Sequence, residues 1–334
     1  MNMKQWKENI IASPVKKAMP ILSFPCIQLM GITVRQLISD SKLQAKGMKM
    51  ICQRADTLAS LSMMDLSVEA EAFGSEIRKD DHEVPAVIGT ILTDEYTVDD
   101  LKVPEVTSGR TGLYIEAVKM AVTDITDRPV LAGVIGPFSL AARLMDISKI
   151  MLTCYDDPDA VNKVLQKAAQ FITSYILEFK KAGANGVVMA EPAAGLLSPD
   201  LIKDFSSRYI QEIAARVKDD NFIFIYHNCG LTKSKALHSL LSIGADAYHF
   251  GNVLNMTEAL EIMPKDVLVM GNISPSAEFR NGTPESIYTA TTDILKECTK
   301  YPNFVISSGC DIPPMSPWEN IDSFFKAVKD FYKQ

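Results

Sequence analysis

Apolar positions along this chain fall into two alternating rhythms. Short runs dense in β-branched and other apolar residues occur at 20–24, 63–68, 129–135, 186–190, 222–226, 245–250, 266–270 and 303–307. Between them lie longer stretches with apolar residues at three- and four-residue spacing, as at 159–182, 199–217 and 285–298. The short runs fit strands, and the three-and-four spacing fits amphipathic helices. Eight strands alternating with helices predict parallel βαβ units. Eight is also the number that closes a (β/α)8, or TIM, barrel. An open doubly wound sheet would carry a glycine-rich phosphate turn after its first strand. Here the first run is followed by Pro25-Cys26-Ile27-Gln28 instead. The pattern therefore predicts an α/β protein, one (β/α)8 barrel domain over 1–334, with residues 1–19 as an N-terminal helical extension.

Composition narrows the function classes. The chain has 334 residues, 47% hydrophobic and 22% charged, which is enough to enclose a large core. A net charge of -7 gives no general attraction to nucleic acid or to acidic membranes. No apolar run approaches the ~20 residues that a membrane helix needs. The opening MNMKQWKENIIASPVKK lacks the apolar core and cleavage site of a signal peptide, so the cytoplasm is the expected compartment. Six cysteines are too sparse for a disulfide scaffold in a chain of this length. Cys26, Cys52, Cys154 and Cys298 have no partner at metal-ligand spacing and read as small buried hydrophobes.

Barrel enzymes place their chemistry at the C-terminal ends of the strands. The second expected strand ends in Asp65, Glu69 and Glu71, which can orient a substrate or cap the next helix. The fourth ends at Glu191, a candidate general base or fourth metal ligand, or else an ion-pair or helix-cap residue. The fifth ends in His227-Asn228-Cys229-Gly230, the sixth at His249 and Asn252, the seventh at Gly271-Asn272. The eighth ends in Ser307-Ser308-Gly309-Cys310-Asp311. Asn252, Asn272 and Ser308 are placed to hydrogen-bond a ligand. In an extended segment residues two apart point the same way, so His227 and Cys229 can reach one ion. Cys310 would join them from another strand end. One imidazole and two thiolates suit Zn2+, and three protein ligands leave a fourth position for chemistry. The same three residues also read as two buried cysteines and a hydrogen-bonded core histidine.

The strand ends resemble those of the uroporphyrinogen decarboxylase superfamily. The marks are MMDLSVEAEAFG around Asp65, IGPFSLA with Gly136-Pro137-Phe138, AGLLSP at 194–199, GNISP at 271–275 and the closing SSGCDIPPMSPWEN. The resemblance covers nearly the whole chain and implies a (β/α)8 barrel with its cleft at the C-terminal face. Within the superfamily the decarboxylase pattern is broken. Its arginine-rich segment is replaced by FPCIQLMGITVRQL, where Arg35 stands alone. Arg143 replaces its tyrosine, Glu191 and Pro192 replace its Asp and Ser, and Cys310 replaces its histidine. The branch that fits is the corrinoid-dependent methyltransferases, whose His-x-Cys…Cys zinc ligands match His227, Cys229 and Cys310. That resemblance implies zinc, a corrinoid as substrate or carried by a small partner protein, and a small thiol or methylated molecule as acceptor or donor. It leaves the direction of transfer open, and an oligomer possible. A carboxy-lyase of the decarboxylase type and a non-catalytic barrel that binds a corrinoid protein are the alternatives.

Overall fold

The apolar runs at 129–135, 186–190, 222–226, 245–250, 266–270 and 303–307 become strands of one parallel sheet. The computed structural model describes residues 1–231 and 233–333. Its strands are β1 (Ser60–Leu61), β2 (Glu76–Arg78), β3 (Ala86–Ile88), β4 (Val130–Ile135), β5 (Gly186–Ala190), β6 (Ile223–Asn228), β7 (Ala247–Phe250), β8 (Leu268–Ile273) and β9 (Phe304–Ser308). The main sheet runs β1-β4-β5-β6-β7-β8-β9, parallel throughout. The pair β2–β3 is a separate antiparallel hairpin that the sequence pattern did not predict.

The main sheet therefore has seven strands, and two expectations need correction. Residues 20–24 form no strand. Pro20 has no amide hydrogen to give a ladder, and the Ile21 N–H donates to the Ser308 hydroxyl instead. From Ser23 the chain turns into the helix Cys26–Met30. The segment still meets both sheet edges. The Leu58 N–H donates to the Ala18 carbonyl, and the Met19 N–H to the Ile306 carbonyl in β9. One stretch touching the first and last strands means that the sheet is curled. The run at 63–68 forms no strand either; the ladder occupies Ser60–Leu61, just before it. Asp65 accepts the Ser67 N–H and starts the turn into the helix Val68–Ala72.

Alternation along the strands sorts the apolar side chains into two layers. Leu131, Val188, Ile225, Ala247, Met270 and Val305 share an inner cluster on the concave face. Their neighbours Ala132, Val187, Phe224, Tyr248, Val269 and Ile306 belong to the larger cluster under the helices. The N-terminal helix Met3–Ala12 is shorter than the expected extension. It buries Met3 and Ile10 in the inner cluster and is pinned where the Met3 and Lys4 amides donate to the Asp220 carbonyl.

Helix ends follow local chemistry. The longest helix, Pro158–Lys181, starts with Pro158 behind an Asp157 cap and ends in two lysines before Gly183 at φ +98°. The helix Pro284–Cys298 opens on a capping box made by Thr283 and Ser286. The expected helix over 199–217 is interrupted by a π-helical turn at Lys203–Ser207. That turn aims Ser206 at Glu191.

Candidate metal centre

The same alternation carries the concave face into a cluster of ligands. In β6, Ile223 and Ile225 face inward, so His227 and then Cys229 follow on that side. Phe224 and Tyr226 face the helices, and Asn228 follows them, donating to the Glu191 carbonyl. Cys310 arrives from the turn after β9. The side-chain ligand atoms of His227, Cys229 and Cys310 all lie within 4.8 Å of one another. His227 is buried and both sulfurs are half-buried. No other such group occurs among the described residues.

A hydrogen-bond chain fixes which imidazole nitrogen faces the sulfurs. The Met19 carbonyl can only accept, so the Ser307 hydroxyl donates to it at 2.7 Å. The Ser307 oxygen then accepts from His249 Nε2–H at 2.7 Å. Burial, with His227 beside it, holds His249 well below the usual imidazole pKa, so it is neutral and its Nδ1 carries a lone pair. That atom lies 2.7 Å from His227 Nδ1, which must supply the proton. In a neutral imidazole His227 Nε2 is then left with the lone pair. It is buried and has no hydrogen-bond partner among the described residues. An orphaned acceptor facing two thiols is what a soft divalent cation would satisfy. The thiols perturb each other: the neighbouring Cys310 lowers the Cys229 pKa, and Cys229 together with burial raises Cys310 to about 12.

Beside the three ligands is a cavity of about 40 Å3. Ile21, Met64, Leu66, Ala190 and Pro192 make its apolar wall, and Asp311 is its one carboxyl group.

The remaining candidates divide by what they touch. Asp65 belongs to a buried ion cluster. It accepts from Arg110, from the Tyr114 hydroxyl at 2.7 Å and from both the amide and hydroxyl of Ser67. Arg110 also bonds Glu71 and Ser67. Glu69 is fully buried and accepts the Ile135 N–H at 2.9 Å, while its other oxygen has no partner among the described residues. Burial raises its pKa to about 7. Arg143 lies close enough to Glu69 and Asp65 to feel their charge, and its buried Nε has no partner among the described residues.

Glu191 stands outside the ligand cluster and takes the helix-cap role, one of the two readings its position allowed. Its two oxygens accept the Phe138 and Ser139 amides at 2.8 Å each, and the Ser206 hydroxyl at 3.0 Å. It thus closes the N-terminus of the helix Pro137–Met145, whose own cap residue is Gly136. Asn272 donates to the Gly251 and Leu254 carbonyls, and Ser308 accepts the Ile21 amide. Both serve the backbone rather than an open cavity. Asn252 is exposed, packed over Gly309.

Sequence reasoning missed His249, Ser307, Arg110 and Tyr114 as partners. His249 was findable: it faces His227 in register across β6 and β7. Arg110 and Tyr114 were not, because they reach Asp65 from 45 and 49 residues away, out of a loop and helix whose placement no motif fixes.

Residues 7–331 match the family described as uroporphyrinogen decarboxylase (URO-D). A uroporphyrinogen decarboxylase of Coxiella burnetii is 30% identical over 289 residues, covering 82% of this chain and 77% of that protein. A methylcobamide:CoM methyltransferase of Methanosarcina acetivorans is 24% identical over 271 residues, covering 80% and 78%. Among solved structures, a methyltransferase from Methanosarcina mazei superposes with TM-score 0.87 over 99% of this chain and 98% of its own, at 22% identity.

Proposed function

Because the chain belongs to the uroporphyrinogen decarboxylase family, we propose that it acts as one of that family's methyltransferases, dependent on zinc, moving a methyl group between a corrinoid and a small thiol or other small molecule. The observation that carries this reading is the inward-facing trio His227, Cys229 and Cys310 with the bare Nε2 of His227. The likeness to the methylcobamide:CoM methyltransferase supports it. His227, Cys229 and Cys310 would hold the zinc. A thiol that reached that metal would lose its proton yet stay nucleophilic, because two thiolate ligands temper the ion.

The chain's own groups have separate tasks. The Ser307–His249 pair holds the proton on His227 Nδ1 and presents Nε2 as the donor. The apolar wall offers water few hydrogen-bond partners in the cavity. The Asp65–Arg110–Glu71 cluster stiffens the rim, and Glu191 seats the helix after β4. We read the curled sheet as a (β/α)8 barrel whose missing stave is the irregular 18–21 segment. A small corrinoid protein, if it carries the methyl group, would dock over the mouth at the C-terminal ends of the strands. No helix among the described residues is long and apolar enough to cross a membrane.

The second reading is decarboxylation of a tetrapyrrole, which the 30% identity to decarboxylases favours. Such a substrate carries many carboxylates and calls for free cations. Arg35 is exposed and bonded to Asp81 and the Lys79 carbonyl, Arg110 is occupied by Asp65 and Glu71, and Arg143, which has no ion pair among the described residues, is the one of the three left to meet such a substrate. Metal analysis followed by methyl transfer from methylcobalamin to a panel of thiols, beside a decarboxylation assay on uroporphyrinogen, tests both. One zinc per chain and a methylated thiol are expected. A chain that holds no zinc in reducing, metal-replete buffer and decarboxylates uroporphyrinogen would overturn the proposal.

A further inference from the structure

We propose a second binding site at the end of the strands away from His227, Cys229 and Cys310: a cleft beside Lys16 that takes an organic anion with an aromatic or aliphatic body, such as a phosphate monoester. The cleft stands apart from the methyltransferase reading, and neither depends on the other.

The cleft lies between residues 15–18, the end of the helix Ser41–Arg54 and the last helix, Trp318–Phe331. Ala55 and Asp56 line it and lead toward β1, so it sits where the strands begin, opposite the mouth. Its volume is about 680 Å3, the size of a small-molecule site. Six cations line it, Lys16, Lys17, Arg54, Lys326, Lys329 and Lys333, against two carboxylates, in a chain whose net charge is -7. Both carboxylates are engaged. Asp56 lies 2.7 Å from Lys17, and Asp322 is bonded to Arg54. Lys326 is turned to Asp330 at 2.6 Å. Lys16, Lys329 and Lys333 are left with no ion pair among the described residues.

Lys16 separates this cleft from an ordinary row of surface lysines. It is only 8% exposed, and its Nζ donates to the Ser13 carbonyl at 3.0 Å. A carbonyl supplies a dipole and no counter-charge, and burial draws the Lys16 pKa down. A buried ammonium that no anion balances costs free energy. An anion in the cleft would balance it with a charge-assisted hydrogen bond, and Lys329 and Lys333 are exposed at the rim to share the load. Phe325, Val328 and Tyr332 give the same cleft an apolar wall. A bare inorganic anion would use the cations and leave that wall in water. A molecule with an apolar body would use both.

Three probes separate charge from body: 1-naphthyl phosphate, inorganic phosphate and 1-naphthol, each titrated into the full chain by calorimetry. 1-Naphthyl phosphate should bind about tenfold or more tighter than either fragment. Lys16→Met keeps the apolar stem, removes the charge and should weaken that binding by about tenfold. The pair Lys329→Gln and Lys333→Gln, at exposed positions, should weaken it too, and this keeps the test open if Lys16→Met does not fold. Lys46→Met, in the separate hollow beside Lys42 and Lys49, should bind as the parent does. Binding of 1-naphthyl phosphate no tighter than that of inorganic phosphate overturns the inference. So does parental affinity in the folded Lys16 and Lys329–Lys333 variants, or an equal loss in Lys46→Met. Tighter binding of a hexaglutamate peptide would also overturn it, by making the cleft a seat for an acidic protein segment.

Discussion

Nδ1 of His249 lies 2.7 Å from Nδ1 of His227, across neighbouring strands in direct register. One nitrogen must give the proton and the other receive it. Ser307, anchored on the Met19 carbonyl, decides the order from the far side. The result is a donor atom prepared before any ion arrives. Outer partners of a ligating histidine are commonly worth about 10–100-fold in metal affinity. His249→Phe should therefore weaken zinc binding by about that factor, measured by competition with a chromophoric chelator. Ser307→Ala should weaken it by less, because His249 keeps its contact with His227. Wild-type affinity in His249→Phe would show that the relay does not act on the centre.

Removal of a ligand should be more severe. His227→Ala and Cys310→Ala are each expected to lose stoichiometric zinc while the far-ultraviolet circular dichroism stays native. All three side chains hang from strand ends on an apolar core that does not include them. Zinc affinity in the unsubstituted protein should also fall as pH falls, because the ion must displace protons from Cys229 and from Cys310, whose thiol stands near 12. Titrations at pH 6, 7 and 8 would check the direction. A flat profile would point to other ligands.

Glu69 predicts a pH effect of its own. Burial raises its carboxyl from 4.5 to about 7 in the fold. The folded state therefore prefers the protonated acid, and that stabilisation is complete below about pH 4.5 and is lost as pH rises through 7. The shift corresponds to about 3 kcal/mol as an upper figure. Glu69→Gln keeps an acceptor for the Ile135 amide and removes the ionisation. In metal-free protein its Tm should exceed that of the parent at pH 8 and fall toward it at pH 5. A constant difference across that range would contradict the assignment.

Gly136 and Glu191 make a steric prediction. A Cβ at Gly136 would stand 2.3 Å from the Glu191 carboxyl oxygen. Gly136→Ala must push that carboxylate off the Phe138 and Ser139 amides. Glu191→Ala leaves the amides bare by another route. Each should lower the unfolding free energy from urea titration by about 1–3 kcal/mol, the cost of stranding buried hydrogen-bonding groups. If Glu191→Ala were as stable as the parent but unable to bind zinc, Glu191 would be a ligand after all.

These residues also show what could be read in advance. The trio was legible because parity within a strand fixes which side chains share a face, and because parallel strands end at one mouth. His227 and Cys229 need only the first rule; Cys310 needs the second. Strand position was legible wherever apolar runs were uninterrupted, as at Gly186–Ala190. The 20–24 run failed because Pro20 cannot join a ladder, a fact present in the sequence but outweighed by its apolar neighbours. Glu191 was ambiguous because a carboxylate at a strand end looks the same whether it faces a metal or the amides of the next helix. The π-turn that brings Ser206 to it has no sequence mark. Arg110 could not be paired with Asp65 because the intervening hairpin and loop carry no periodicity from which to measure a distance.

The seam between residues 18–21 and β9 bears on how the molecule comes into being. The Ile21 amide and the Ser308 hydroxyl that receives it are 287 positions apart. Cys229 is translated 81 residues before Cys310, an interval of about ten seconds on a ribosome. Throughout that interval the nascent chain displays one imidazole and one sulfur with no third donor, and its earliest residues have no strand to fasten to. Were the trio to hold an ion, its capture would be among the last events of maturation, and a prematurely terminated polypeptide would be left with half a claw.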